Sequence, residues 1–367
     1  MQKNGFGAKN RADFPVCCIV AQKRKKQQSV GRALTGVALR LSSAINANQQ
    51  LKKAQKLQNE VEKQCSIAEN VIMEKTLQLI ALYCTVADDY STIQHVTQRL
   101  SNNFRPKFTD EECITVYLWG TMDRRFELKA VYDYAKEHYL DWFPKLPSYQ
   151  RFCERLNMLA PAFQLMAEKW MDLVSARLGT EMAYVVDSCP IVLAKEKRSN
   201  RAKVAPGLCG KGYCSSRNEY YYGVKLHTFA TRHTGTLPAP CSMMVSSASE
   251  NDLTVARWIM EDCQPFRCGI LYADKAYTDE TWAASLKKEH SITILTPRKK
   301  KKYDTLQGGD AVSTFVSGLR QPIECFFSWL NEKTNIQTAS KVRSFEGLLV
   351  HVFGKIAAAL YLRYFNS

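Results

Sequence analysis

Three carboxylates in this chain stand where its hydrophobic pattern would let them meet. Asp187 follows the continuous apolar run 182–186, and Asp274 follows a second such run, 269–273. Glu324 lies on a stretch whose apolar stripe is Leu319, Ile323, Phe326, Phe327 and Leu330, and at helical spacing it shares a face with Arg320. Singly these residues say little. An Asp after a strand is usually a turn or helix-start residue, and an exposed Arg–Glu pair at i, i+4 is worth only about 0.3–0.5 kcal/mol. Brought together, two carboxylates about 4 Å apart would repel by roughly 4 kcal/mol at an effective dielectric near 20. A divalent cation would relieve that repulsion. Mg²⁺, with Mn²⁺ as a substitute, favours carboxylate oxygen and accepts phosphate as a further ligand. Two such ions can activate a water or a 3′-hydroxyl and stabilise the leaving oxygen of an in-line displacement.

The elements that must position this trio are legible from periodicity. The run 182–186 reads as a strand buried on both faces. In 220–230, Val224 and Leu226 alternate with Lys225, His227 and Phe229, and Thr234-Gly235 turns the chain into a further strand ending at Val245, which makes a hairpin. Ser249-Glu250-Asn251-Asp252 caps a helix through Val255, Ile259 and Met260. Strand 269–273, a helix from Thr278 to Lys288 and strand 291–296 follow, and Pro297 stops the last. One long helix is expected over about 315–332, and a terminal helix from Phe345. The order strand, hairpin, helix, strand, helix, strand, helix matches the ribonuclease-H-like fold, a mixed five-stranded α/β sheet flanked by helices. Its first and fourth strands lie side by side at the centre, so Asp187 and Asp274 would emerge at the same sheet end, where open α/β sheets place ligands.

Charge points to the partner. Fifty-one Lys and Arg against thirty-five Asp and Glu leave +16, an imbalance suited to nucleic acid, because each neutralised phosphate releases counterions. The excess is uneven: residues 1–72 hold thirteen Lys and Arg against four Asp and Glu. With only Phe6 and Phe14 as aromatics, this segment reads as a basic extension, flexible or partly helical. From 73 to 180 the pattern is helical: a capping box at Thr109-Asp110-Glu111-Glu112 opens one helix, and Arg151 and Arg155 fall together on another. These short helices suit either a DNA-end-binding domain or a bundle that packs or dimerises. The catalytic domain would occupy 181–340 and a packing helix 341–367. The thirteen cysteines are scattered through a long chain, which suits reduced thiols and a cytoplasmic setting. The pairs Cys209/Cys214 and Cys263/Cys268 are spaced more loosely than most zinc ligands. The apolar C-terminal stretch 347–365 is interrupted by His351, Lys355 and Arg363, so a core helix is expected rather than a membrane span.

Several blocks carry a family likeness in their order: Asp187-Ser188-Cys189-Pro190, Gly212-Tyr213-Cys214, Tyr222-Gly223-Val224-Lys225-Leu226-His227, and Ala273-Asp274-Lys275-Ala276-Tyr277. With Arg320-Gln321-Pro322-Ile323-Glu324-Cys325-Phe326-Phe327 and Arg343-Ser344-Phe345-Glu346-Gly347-Leu348-Leu349, they resemble the DDE transposases of bacterial insertion sequences, in particular the insertion sequence nine-eighty-two group. The resemblance covers about 73–366. It implies that Asp187, Asp274 and Glu324 bind metal, that the element ends are nicked hydrolytically, and that the freed 3′-hydroxyl joins target DNA. A related transposase motif places Tyr seven before the Glu, Arg four before and Lys seven after; Arg320 fits, whereas Ser317 and Asn331 occupy the other two positions. Double-stranded DNA is the implied partner, held by at least a dimer because two ends must be brought together. Arg320, Lys225, His227, Lys275 and the basic run Arg298, Lys299, Lys300 and Lys301 are the candidate DNA contacts. Two other readings stay open: a nuclease or resolvase of the same fold without strand transfer, and a non-catalytic DNA-binding repressor.

Overall fold

A computed structural model describes residues 73–98, 106–215, 217–298 and 311–365. Two compact units divide the chain between Ile80 and Ala81. Of the first unit only 73–80 is described, and it is helical; the extension 1–72 lies outside the described residues. The second unit holds both the helical region and the sheet. Its helices are 81–93 (α1), Asp110–Met122 (α2), Leu128–His138 (α3), Tyr149–Met158 (α4) and Ala160–Leu178 (α5). The capping box is formed: Thr109 Oγ1 accepts from the Glu112 amide, and the Glu112 carboxylate accepts from the Thr109 amide. Arg155 is no exposed DNA-reading residue. It is drawn inside as a bidentate partner of Asp110, at 2.6 and 2.7 Å, because Asp110, on the first turn of α2, is itself buried and needs a cation. Arg151 stays exposed.

The strands are Ala183–Lys195 (β1), Gly210–Cys214 (β2), Glu219–Thr231 (β3), Ala239–Ser247 (β4), Gly269–Tyr272 (β5) and Ile292–Leu295 (β6). A short helix, Glu196–Ser199 (α6), follows β1; Asp252–Asp262 (α7) precedes β5 and Glu280–His290 (α8) precedes β6. The mixed, ribonuclease-H-like sheet has six strands, one more than expected: β1 lies between β3 and β5, β6 flanks β5, and both β2 and β4 pair with β3. β1 and β5 are parallel neighbours over Ala183–Val185 and Ile270–Tyr272, as the central pairing requires. The added strand β2 covers the first half of β3's outer edge, and β4 covers the second.

β1 is also far longer than the apolar run that announced it. It pairs antiparallel with β3 from Tyr184 to Lys195, so Asp187 sits inside the strand and not at its end. The parallel partner β5 has already stopped at Tyr272, opposite Val185. That frees the edge on which Pro190, which has no N–H, can be tolerated. Val192, two residues on, uses the same edge to donate to the Gln337 carbonyl at 2.8 Å.

One face of the sheet packs Tyr184, Val186, Phe229 and Leu271 against Val255, Ile259, Trp282 and Leu286 of α7 and α8. On the other side lie Ala311–Arg320 (α9), Pro322–Thr334 (α10), and a C-terminal run of Phe345–Leu349 (α11), a π-turn Val350–Gly354 and Lys355–Phe365 (α12). The long helix expected over 315–332 is thus two helices, because Pro322 cannot donate to the carbonyl four residues back. Beside the break the Leu319 carbonyl accepts from Arg232 Nε at 3.1 Å. The stretch Phe345–Phe365 is long and apolar enough to cross a membrane, yet 72% of its apolar window is buried inside the protein. It is a core element. His351 Nε2 donates to the Ile336 carbonyl at 2.8 Å, and burial pushes its pKa down to about 3. Gly354 is required by packing, since a Cβ there would lie 2.5 Å from the Tyr117 ring.

Candidate active site

Strand parity decides what faces what. Asp187 alternates with Val186 and Ser188, so it turns away from the α7 face and toward the helices on the other side of the sheet. There α9 ends at Arg320, and Arg320 Nη1 donates to Asp187 Oδ2 at 2.7 Å. Its other terminal nitrogen donates to Glu324 Oε1 at 2.6 Å, across the Pro322 break. One guanidinium therefore joins a carboxylate from the central strand to one from the first turn of α10. Asp274, two residues beyond β5, is close enough for its charge to raise the Asp187 pKa. Its side chain makes no hydrogen bond or ion pair among the described residues.

Burial is the main reason that the Asp187 pKa rises to about 6, with the negative charges of Asp274 and Asp252 adding to it; the Ser188 amide and Arg320 oppose the rise. Within electrostatic reach of Asp187 and Asp274, the Tyr277 hydroxyl is buried with no hydrogen-bond partner among the described residues. Its pKa is pushed up first by burial, then by Asp187, Asp252 and Asp274. The site thus holds more negative charge than its own cations neutralise, and an orphaned hydroxyl besides. Its carboxylate oxygens are a hard donor set that fits Mg²⁺ or Mn²⁺. Asp187, Asp274 and Glu324 are the residues that would hold such an ion. Among the described residues no three acidic, His or Cys side chains are yet grouped to do so, and Arg320 spans Asp187 and Glu324.

The remaining candidates divide. Lys225 and His227 do share a face, but register places them opposite Pro190 and Ser188, on the α7 side of the sheet and away from Asp187. Lys225 Nζ donates to Asp252 Oδ1 at 2.8 Å and to the Glu250 carbonyl at 2.9 Å. His227 is 1% exposed and bonded to Ser246 Oγ at 2.8 Å; burial lowers its pKa to about 4, so it is a neutral interior residue. Lys275 is exposed directly after Asp274. Arg298 is exposed at the end of the β6 segment, its amide donating to Ser313 Oγ at 2.9 Å. Lys299, Lys300 and Lys301 lie outside the described residues.

Asp252 was missed. In the sequence it stands as part of a helix cap, yet the cap proper is Asn251, whose side chain accepts from the Leu253 amide at 2.9 Å. Asp252 accepts from Ser188 Oγ at 3.2 Å and from Lys225, so it lies one residue from Asp187 through the sheet. The signal available was its position at the start of a helix following the hairpin, which ranks it no higher than any other capping Asp.

Among known proteins, no curated protein and no solved structure matches the chain. A family model described as the transposase DDE domain matches residues 179–362, half of the chain. That span begins just before β1, ends within α12 and contains Asp187, Asp274, Glu324 and Arg320. Members of that family generally use a divalent metal and act on DNA. With its ribonuclease-H-like sheet and the acidic site where β5 ends beside β1, this chain belongs to the DDE transposase family.

Proposed function

We propose that this protein is the transposase of a bacterial insertion sequence similar to the nine-eighty-two group. It binds the terminal inverted repeats as a homodimer, hydrolyses the phosphodiester at each element end and joins the 3′-hydroxyl to target DNA. Asp187, Asp274 and Glu324 are the metal ligands, and two Mg²⁺ ions, when bound, supply a lowered pKa for the attacking oxygen and charge stabilisation for the leaving one. The observation that carries the reading is the Arg320 bridge between Asp187 and Glu324, beside an Asp274 whose charge is felt by both Asp187 and Arg320.

In this mechanism β1 fixes Asp187 from within a paired strand, and α10 brings Glu324 over the sheet end. Arg320 holds the two acids together while no phosphate is present. A DNA phosphate is a competing partner for the same guanidinium, bidentate by geometry. Lys275 and Arg298 stand exposed near the same sheet end and position the DNA backbone.

Asp187→Asn, Asp274→Asn and Glu324→Gln should each lower Mg²⁺- or Mn²⁺-dependent end cleavage by about 10³-fold or more, with binding to end DNA retained. Gel assays of cleavage and of binding on the same end fragments measure both quantities. Near wild-type cleavage by any one variant removes that residue from the site.

A further inference from the structure

The β2–β3 hairpin turns an unusual surface outward. In β2, Gly212 and Cys214 face in, while Lys211 and Tyr213 face out. The register sets Tyr213 directly opposite Tyr220 of β3, with ring centroids 5.0 Å apart. Tyr213 remains 48% exposed and Tyr220 58%. Lys211 Nζ lies 5.3 Å from the Tyr220 ring centroid, within cation–π range. Cross-strand pairing stabilises a hairpin, but it does not require two tyrosines to keep about half their surface in water.

These rings floor one side of a cavity of about 680 Å³, whose other walls include Lys225, Ser249, Asn251, Asp252 and Ala276. The cavity lies on the α7 side of the sheet, where Asp252 accepts from Ser188, the residue after Asp187. The hairpin packs against the turn that follows β4. A Cβ at Gly212 would lie 2.5 Å from the Ala248 carbonyl oxygen, so the two segments pack backbone to backbone.

We propose that this surface binds an unpaired stretch of DNA strand, its bases stacked on Tyr213 and Tyr220 and its phosphates met by Lys211. The site rests on DNA being the substrate, as read above. An aromatic face offers a base a stacking partner whatever its identity, and a lysine beside it meets the backbone. A duplex hides its base faces within the helix, so the occupant is single-stranded. Ser249 and Asn251 line the same cavity.

The test titrates a fluorescently labelled oligothymidylate, and separately a duplex of equal length, with the full-length protein in the absence of divalent metal, reading anisotropy. Tyr213→Ala with Tyr220→Ala should weaken oligothymidylate binding by about 100-fold, taking each ring as about tenfold, and change duplex binding by about twofold or less. Tyr213→Phe with Tyr220→Phe should restore it, because the rings are kept. If the alanine pair folds poorly, Lys211→Glu reads the same surface through a selective loss of oligothymidylate binding. Unchanged oligothymidylate binding, or an equal loss for both DNAs, overturns the proposal, as does a wild-type protein that binds no oligothymidylate. With no metal present the result is independent of the trio. Normal oligothymidylate binding by the alanine pair, with end cleavage still dependent on Asp187, removes only the hairpin site. Selective loss of binding, with cleavage indifferent to Asp187, removes only the trio.

Discussion

The helical shell and the open end of the sheet treat their acids in opposite ways. In the shell the buried acids are paired. Asp110 has the Arg155 fork and the Tyr90 hydroxyl at 2.8 Å, and Asp89 has Lys169 together with the Trp170 indole at 3.1 Å. At the sheet end four acids, Asp187, Asp252, Asp274 and Glu324, share two contacting cations among the described residues, Arg320 and Lys225. A buried charge without a partner costs several kcal/mol. The shell avoids that cost by pairing, whereas the sheet end leaves Asp274 without a partner among the described residues, beside the negative charge of Asp187.

Removing an acid should therefore do opposite things in the two places. Asp110→Asn breaks a pair whose side chains are only 11% and 12% exposed and should cost about 3–5 kcal/mol of stability. Asp274→Asn should change stability by less than about 0.5 kcal/mol, or raise it, because it relieves repulsion. Denaturant unfolding of the two variants without metal compares them directly; a large loss for Asp274→Asn would end the contrast.

The shell's tight packing gives a smaller effect. Gly354→Ala would add helix propensity worth about 1 kcal/mol, but it drives a methyl into the Tyr117 ring. The net result should be a loss of about 1–3 kcal/mol, read as a lower melting temperature.

Lys355 is the shell's exception and gives the subtlest test. It is 2% exposed, donates to the Asn335 carbonyl at 3.2 Å, and burial lowers its pKa to about 7 from 10.5. Between those values the unfolded chain carries a proton that the folded chain lacks, so stability rises with pH across that window. The contribution is complete above the unfolded value and lost as pH falls through the folded one. Lys355→Met should flatten this slope and be the more stable protein near neutrality. Unfolding at pH 7 and pH 9 checks it, and an unaltered slope would show that another group sets it.

Much of this was legible in the chain. Short apolar runs gave β1 and β5, and their order gave the parallel central pair that aligns Asp187 with Asp274. Helical spacing gave the Arg320–Glu324 contact even though Pro322 splits the helix, since one missing N–H leaves the phase intact. What stayed hidden depends on distant pairing. Alternation shows that Lys225 and His227 share a face, but only the β1–β3 register tells which face it is. β2 is a Gly-rich segment with little apolar signal, and its strand character comes from the edge of β3. Arg155 looked solvated because its partner Asp110 is far away in the sequence.

The break before Pro322 has a mechanical consequence. Arg320 closes one helix and Glu324 stands in the first turn of the next, so their ion pair straddles a joint. The far end of α10 is anchored, because Ala339 beyond it donates to the Val192 carbonyl at 2.9 Å and Val192 donates back to Gln337. Any bend at the joint therefore appears first as a change in the Arg320–Glu324 separation. The pair works as a strain gauge mounted beside Asp187, and a spectroscopic probe at Ser328 on α10 would read the same bend from outside.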